Sequence, residues 1–155
     1  MQGTPFPSMP EITVTRSGVE KLLSQMNPHK APGPDGISAR LLKECSRELA
    51  PLLTTLFNKS LSEGVVPDDW KEANITAIFK KGDRGVASYY RPVSLTSLCC
   101  KLQEHILVSQ ILNHLERHEI LIDCQHGFRA RHSCDTQLLT LVHELSFIFR
   151  QKRTS

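Results

Sequence analysis

The sequence has little net charge, no disulfide framework and no long apolar run, and each shortage excludes a class of protein. Nineteen Lys and Arg stand against sixteen Asp and Glu, a formal excess of only +3. Bulk charge therefore gives no argument for nucleic-acid binding, and any such argument rests on where the cations lie. The five cysteines, Cys45, Cys99, Cys100, Cys124 and Cys134, are odd in number and lack framework spacing, so they read as reduced thiols. No stretch approaches the roughly 18 apolar residues of a membrane span. Neither an apolar leader core nor an arginine-rich transit segment follows Met1. An intracellular protein, nuclear or cytoplasmic, is expected. Internal repeats and low-complexity tracts are absent as well.

What is present fits about one modest globular domain: 155 residues, 39% of them hydrophobic. Residues 1–16 read as a linker and residues 17–155 as the folded part. Ser17-Gly18-Val19-Glu20 has the form of a capping box, opening a short helix that Pro28 ends. The stretch HKAPGPDGIS is a loop, with Asp35 as an Asx-turn residue. Ile37, Leu41, Cys45, Leu49, Leu52 and Leu56 recur at helical spacing up to Gly64. Pro51 is expected to kink or split that helix, and two shorter helices fit equally. ANITAIF alternates and is rich in Ile and Thr, which predicts a strand. Leu95, Leu98, Leu102 and Ile106, joined by Leu107, Ile111 and Leu115, predict the longest helix, ending near His118. An extended segment and a basic loop follow, then a last amphipathic helix opened by an Asp or Ser cap. The expected fold class is α+β and helix-rich: five or six helices with a small antiparallel hairpin built from ANITAIF and the residues around Ala87 to Val93.

The chemistry concentrates in FKKGDRGVASYYRPVSL, where two lysines and two arginines surround a Gly-containing turn at a strand end. Such a cluster suits an anion, although an isolated Lys-Lys turn is more often simply solvated. Asp83 is placed either to hold the turn or to pair with a lysine. Asp68-Asp69 lacks the flanking residues of a catalytic pair and reads as a solvated loop or a helix cap. Cys124-X-His126 and His132-X-Cys134 have one-residue spacings, which do not match structural zinc sites. A Cys–His catalytic pair lacks a recognisable third member. No metal ligand is assigned.

Three pieces in order, NPHKAPGPDGI, FKKGDRGVASYYRPVSLTSLCCKLQEHIL and QHGFRARHSCDTQLL, resemble the N-terminal finger segments of reverse transcriptases encoded by non-LTR (LINE-type) retrotransposons. The resemblance runs from about Ser17 to the C-terminus. It implies the fingers part of a right-hand polymerase fold, with palm and thumb absent. It also implies an RNA template, a DNA primer, a deoxynucleoside triphosphate and the missing palm as partners. By resemblance, Lys80, Lys81 and Arg91 meet nucleotide phosphates, a guanidinium forking onto two oxygens. Lys30, Gln125, Gly127, Phe128, Arg129 and Arg131 take template-contacting positions, with Phe128 either stacking or anchoring the core.

In the full-length family, Mg2+ ions held by palm carboxylates carry out nucleotidyl transfer. Those carboxylates lie in Asp-Phe-X-X-Ala-Phe-Asp and Tyr-X-Asp-Asp patterns, and neither occurs in this sequence. The chain stops at FIFRQKRTS, about where the first palm strand would begin. The resemblance therefore implies a fragment, inert alone as an RNA-directed DNA polymerase. The residues leave a second reading open: a non-catalytic nucleic-acid-binding or helical interaction protein derived from such an element.

Overall fold

The computed structural model describes residues 6–122, 124–127, 129 and 131–153, the last three by their backbone alone. The chain divides into two compact units, one of Pro10–Ser109 and one that includes Gln110–Ser155. Five α-helices and two strands are found among the described residues: α1 (Arg16–Ser24), α2 (Ala39–Glu44), α3 (Ser46–Glu63), β1 (Ala73–Phe79), β2 (Tyr90–Thr96), α4 (Leu98–Arg117) and α5 (Cys134–Arg153). Helix-rich α+β is therefore the observed class. No helix among the described residues is long and apolar enough to cross a membrane.

Helix starts follow the available side-chain oxygens. α1 begins before the expected box, because the Thr15 hydroxyl accepts from the Gly18 amide at 3.2 Å while Thr15 itself is extended. Ser38 caps α2 in the same way, on the Leu41 amide. α5 opens with a reciprocal cap: the Ser133 hydroxyl accepts from the Thr136 amide, and the Thr136 hydroxyl accepts from the Ser133 amide. Of the two caps considered for that helix, serine is the one used.

The break in the second helical stretch lies at Cys45 and not at Pro51. Cys45, with φ −98° and ψ 28°, ends α2 and starts α3, and Pro51 is accommodated inside α3. Pro51 removes one hydrogen bond from the ladder without ending α3, whereas Cys45 leaves helical geometry and separates the two helices. Gly64, in the left-handed region at φ 65°, closes α3 as expected. Leu95, read as the first residue of the long helix, instead belongs to β2, and the helix begins three residues later at Leu98. Buried Ser97 separates the two elements, its hydroxyl accepting from the Cys99 amide at 3.1 Å.

The core of the first unit joins Val19 and Leu23 of α1, Ala39 and Leu42 of α2, Leu53 and Phe57 of α3, Trp70, and the start of α4. Phe57 is fully buried and meets Trp70 edge-on at 5.7 Å, a burial that stabilises the unit by roughly 1.5–3 kcal/mol. Val14, inside the stretch read as linker, is also buried. Asn58 pins it with two hydrogen bonds, each 2.9 Å, to its amide and its carbonyl.

One close approach ties this core to the hairpin, and an Asx turn shapes the loop that makes it. Gly33 lies so close to the backbone of Thr96 and Ser97 that a Cβ would meet it at 2.6 Å. The Asp35 carboxylate accepts from the Ile37 amide at 3.2 Å, the Asx turn expected in that loop.

Burial in this core, with the Asp35 carboxylate as a smaller influence, pushes the Cys99 thiol up from 9.0 to about 11. As pH rises through 9.0 the unfolded chain gives up this proton first, and the folded chain keeps it until about 11. Cys99 therefore contributes full stability below that window and loses it across the window. In denaturant titrations, wild-type stability is expected to fall more steeply than that of Cys99→Ala between these limits. Parallel curves would show that the thiol is not held protonated by the fold.

Candidate nucleic-acid interface

β1 and β2 form a two-stranded antiparallel sheet in which Phe79 pairs with Tyr90, Ile78 with Arg91 and Ala77 with Pro92. The first strand is the one read from the sequence. The second runs Tyr90–Thr96, later than expected, because Ala87–Tyr89 forms a short 3-10 turn that feeds it.

The turn is locked by its own polar groups. The Lys80 amide donates to the Tyr89 carbonyl at 2.8 Å. Asp83 accepts from the Gly85 amide at 2.8 Å, so it holds the turn and is not committed to a lysine. The Tyr90 hydroxyl reaches across to the Arg84 carbonyl at 2.9 Å. Gly82 sits at φ 93°, with the Tyr89 ring where a Cβ would stand, 2.8 Å away.

Strand parity then sorts the cations. Paired residues share a face and successive residues alternate. Ile78 and Arg91 therefore lie on one face and Phe79 and Tyr90 on the other; Lys80, one residue past β1 with its amide bonded to Tyr89, continues the first face by parity. The edge contact of Phe79 with Tyr90, 5.5 Å between ring centres, agrees with that register. Lys80 and Arg91 are diagonal neighbours across the ladder, a relation that spans roughly 7–8 Å between backbones. Both side chains are exposed. Arg84 is drawn to the opposite face, its guanidinium 5.2 Å from the centre of the Phe79 ring. There Arg84, Tyr90, Pro92, Ala77, Gly85 and Ala87 line an open cavity of about 470 Å³. Lys81 is exposed in the bend itself.

The template-side residues fall in two places. Lys30 is exposed in the loop after α1, its amide donating to the Asn27 carbonyl at 3.3 Å. The remaining ones belong to the second unit, apart from Phe128, which lies outside the described residues. Gln125 and Gly127 are exposed, and a Cβ on Gly127 would meet nothing within 4 Å. Arg131 is exposed with a left-handed φ of 62°. Arg129 is half-buried: its guanidinium donates to the Ile122 carbonyl at 3.1 Å, and its Nε is buried with no hydrogen-bond partner among the described residues. Part of that arginine's hydrogen-bonding capacity therefore organises its own loop.

The two acidic neighbours stand at the surface. Asp68 and Asp69 are exposed in a 3-10 turn, and Lys71 Nζ, 2.7 Å away, holds the Asp68 carboxyl below its ordinary range. Among the described residues no three His, Cys, Asp or Glu side chains gather closely enough to hold an ion.

The chain matches no protein-family model. Curated proteins do match it. It is 30% identical over 137 residues to the RNA-directed DNA polymerase from mobile element jockey of Drosophila melanogaster, covering 88% of this chain and 15% of that protein. Its likeness to the jockey polymerase of Drosophila funebris is 32% over 142 residues, 90% of this chain and 16% of that one. The probable RNA-directed DNA polymerase from transposon X-element of Drosophila melanogaster is 32% identical over 136 residues, 86% of this chain and 15% of its own length.

The chain is homologous to a segment of non-LTR retrotransposon RNA-directed DNA polymerases. It spans about 15% of the length of these curated relatives. In this polymerase-like segment the hairpin turn is the point where sequence and geometry demand a particular residue. Gly82→Ala must place a methyl on Tyr89 and hold a left-handed φ, at a cost of roughly 1–2 kcal/mol. Amide-exchange protection at Lys80 is expected to drop about tenfold. Gly127→Ala, with open space at its Cβ, is expected to leave exchange unchanged. Full protection at Lys80 in the Gly82 variant would contradict this turn geometry.

Proposed function

We propose that this chain supplies finger-side phosphate and template contacts of an RNA-directed DNA polymerase of the right-hand type. The observation that carries the reading is the shared hairpin face of Lys80 and Arg91. A lysine acts as a point charge and an arginine as a planar fork, so the pair suits neighbouring phosphate oxygens of a triphosphate or of a polynucleotide strand. Lys81 extends the positive edge of the turn. Lys30 in the first unit and, taken by themselves in the second, Arg131 and the outer part of Arg129 are further template contacts in this reading. The partners in this reading are an RNA template with its DNA primer, a deoxynucleoside triphosphate and a palm domain, all inside the cell.

Catalysis is assigned elsewhere. Mg2+ in such a polymerase needs a set of carboxylates, and the acids described here do not form one, since Asp68 is engaged by Lys71 and no three-ligand cluster exists among the described residues. No step of nucleotidyl transfer is assigned to these residues.

One observation favours the interaction-protein reading. α5 exposes Leu138, Leu139, Leu141, Val142, Leu145, Phe147, Ile148 and Phe149, with Leu139 at 70%, more apolar surface than a free helix ordinarily carries. The two readings separate by binding. Fluorescence anisotropy with single-stranded RNA is expected to show weak binding of little sequence preference. Three hairpin contacts would set a slope of about −2 in log affinity against log salt. Lys80→Ala with Arg91→Ala should cost about tenfold in affinity and flatten that slope by about 1.4. Lys21→Ala with Arg40→Ala, exposed cations on α1 and α2, should cost far less. Equal losses from both double variants would mean diffuse attraction and would favour the interaction protein.

A further inference from the structure

Two of the seven histidines, His114 and His118, stand one turn apart near the end of α4. Their ring centres are 4.6 Å apart and the planes are inclined by 56°. Residues four apart on a helix cover the same patch of its surface, so the two imidazoles converge without any rearrangement of the backbone.

The end of the helix is built to hold them there. The His118 amide donates to the His114 carbonyl at 3.2 Å, which holds His118 on the last turn of α4, one residue past its end at Arg117. Glu119 then takes a left-handed φ of 51°. The Glu119 amide bonds the Glu116 carbonyl and the Ile120 amide bonds the Leu115 carbonyl at 2.9 Å, a closed helix terminus.

The electrostatics also favour a cation. The carbonyl end of a helix is its negative pole, and Glu116 and Glu119 outnumber Arg117 on this last turn. His118 is exposed and His114 half-buried, which leaves the outer side of the pair open to water.

We propose that His114 and His118 form a two-imidazole chelate for a divalent transition-metal ion, with water completing its coordination. Nitrogen donors of this kind select copper, nickel and zinc over magnesium. This site is therefore unrelated in chemistry to the carboxylate-held Mg2+ of polymerases. No third ligand stands close among the described residues, so the ion keeps open positions, unlike a structural zinc site. Because both ligands meet only on a formed helix, the bound ion locks the last turn of α4. The other close pair, His126 and His132 at 4.8 Å, differs: His126 Nδ1 is engaged with the Thr136 hydroxyl at 2.9 Å.

The test is titration of the 155-residue chain with Ni2+ alone, a divalent ion that does not oxidise the exposed thiols of Cys124 and Cys134, read by calorimetry and by imidazole proton shifts. One equivalent is expected, with the shifts confined to the rings of His114 and His118. His114→Gln and His118→Gln should each weaken it at least about tenfold, because the second ligand no longer benefits from its tethered effective concentration. Combining His118→Gln with Glu116→His keeps the number of histidines but places the second ring two residues away, off the shared patch, and should not restore affinity. His126→Ala with His132→Ala should retain the site. The proposal is overturned by an absence of binding, by undiminished affinity in either glutamine variant, by rescue in the relocated variant, or by loss confined to the His126 and His132 variant.

Discussion

The hydrogen bond from the Lys80 amide to the Tyr89 carbonyl, 2.8 Å long, closes the hairpin and sets the parity of every side chain in it. A slip of one residue would send each side chain to the opposite face. Lys80 and Arg91 would then lose their common face, and Arg84 its place over Phe79. The turn resists such a slip from several directions: Asp83 on the Gly85 amide, Tyr90 on the Arg84 carbonyl, and the Tyr89 ring filling the space that a Cβ at Gly82 would need. These are local interactions, so the register does not depend on the helices. Gly33, close against Thr96 and Ser97, connects the hairpin base to the helical core.

That arrangement gathers exposed cations at one turn of a chain whose excess is only +3. The exposed ion pairs, such as Lys71 with Asp68 and Lys59 with Glu63, consume charge at the surface with little effect on stability. Lys80, Lys81 and Arg91 are exposed and lie outside those pairs. Strand pairing therefore concentrates what composition dilutes.

Local signals in the sequence were readable where one interaction decides the outcome. ANITAIF alternates without a competing pattern, and β1 has those bounds. Asp35 in a Pro-Asp-Gly turn and Gly64 after α3 act as their chemistry requires. The errors arose where two local rules compete. Thr15 and Ser17 are both competent caps, and the backbone is extended at Thr15. Pro51 is a stronger helix breaker than Cys45 in isolation, yet α3 runs through it. Leu95 fits helical spacing, but its pairing with Asn74 in the sheet outweighs that periodicity.

The site was less visible than the fold. Which lysine shares a face with Arg91 depends on cross-strand register, and spacing along the chain does not contain that information. The packing of Arg84 on Phe79 and the hydrogen bonds of Arg129 to its own loop likewise depend on three-dimensional neighbours. His114 and His118 could have been found, since a four-residue interval on a predicted helix is enough to pair them. The central claim is that one hairpin face holds phosphates, and backbone amide chemical shifts during titration with a deoxynucleoside triphosphate test it most directly. The account predicts that changes concentrate at Ile78, Lys80, Lys81 and Arg91 and that Arg84 and α5 stay silent. Changes centred on Arg84 and Tyr90, or spread along α5, would contradict it.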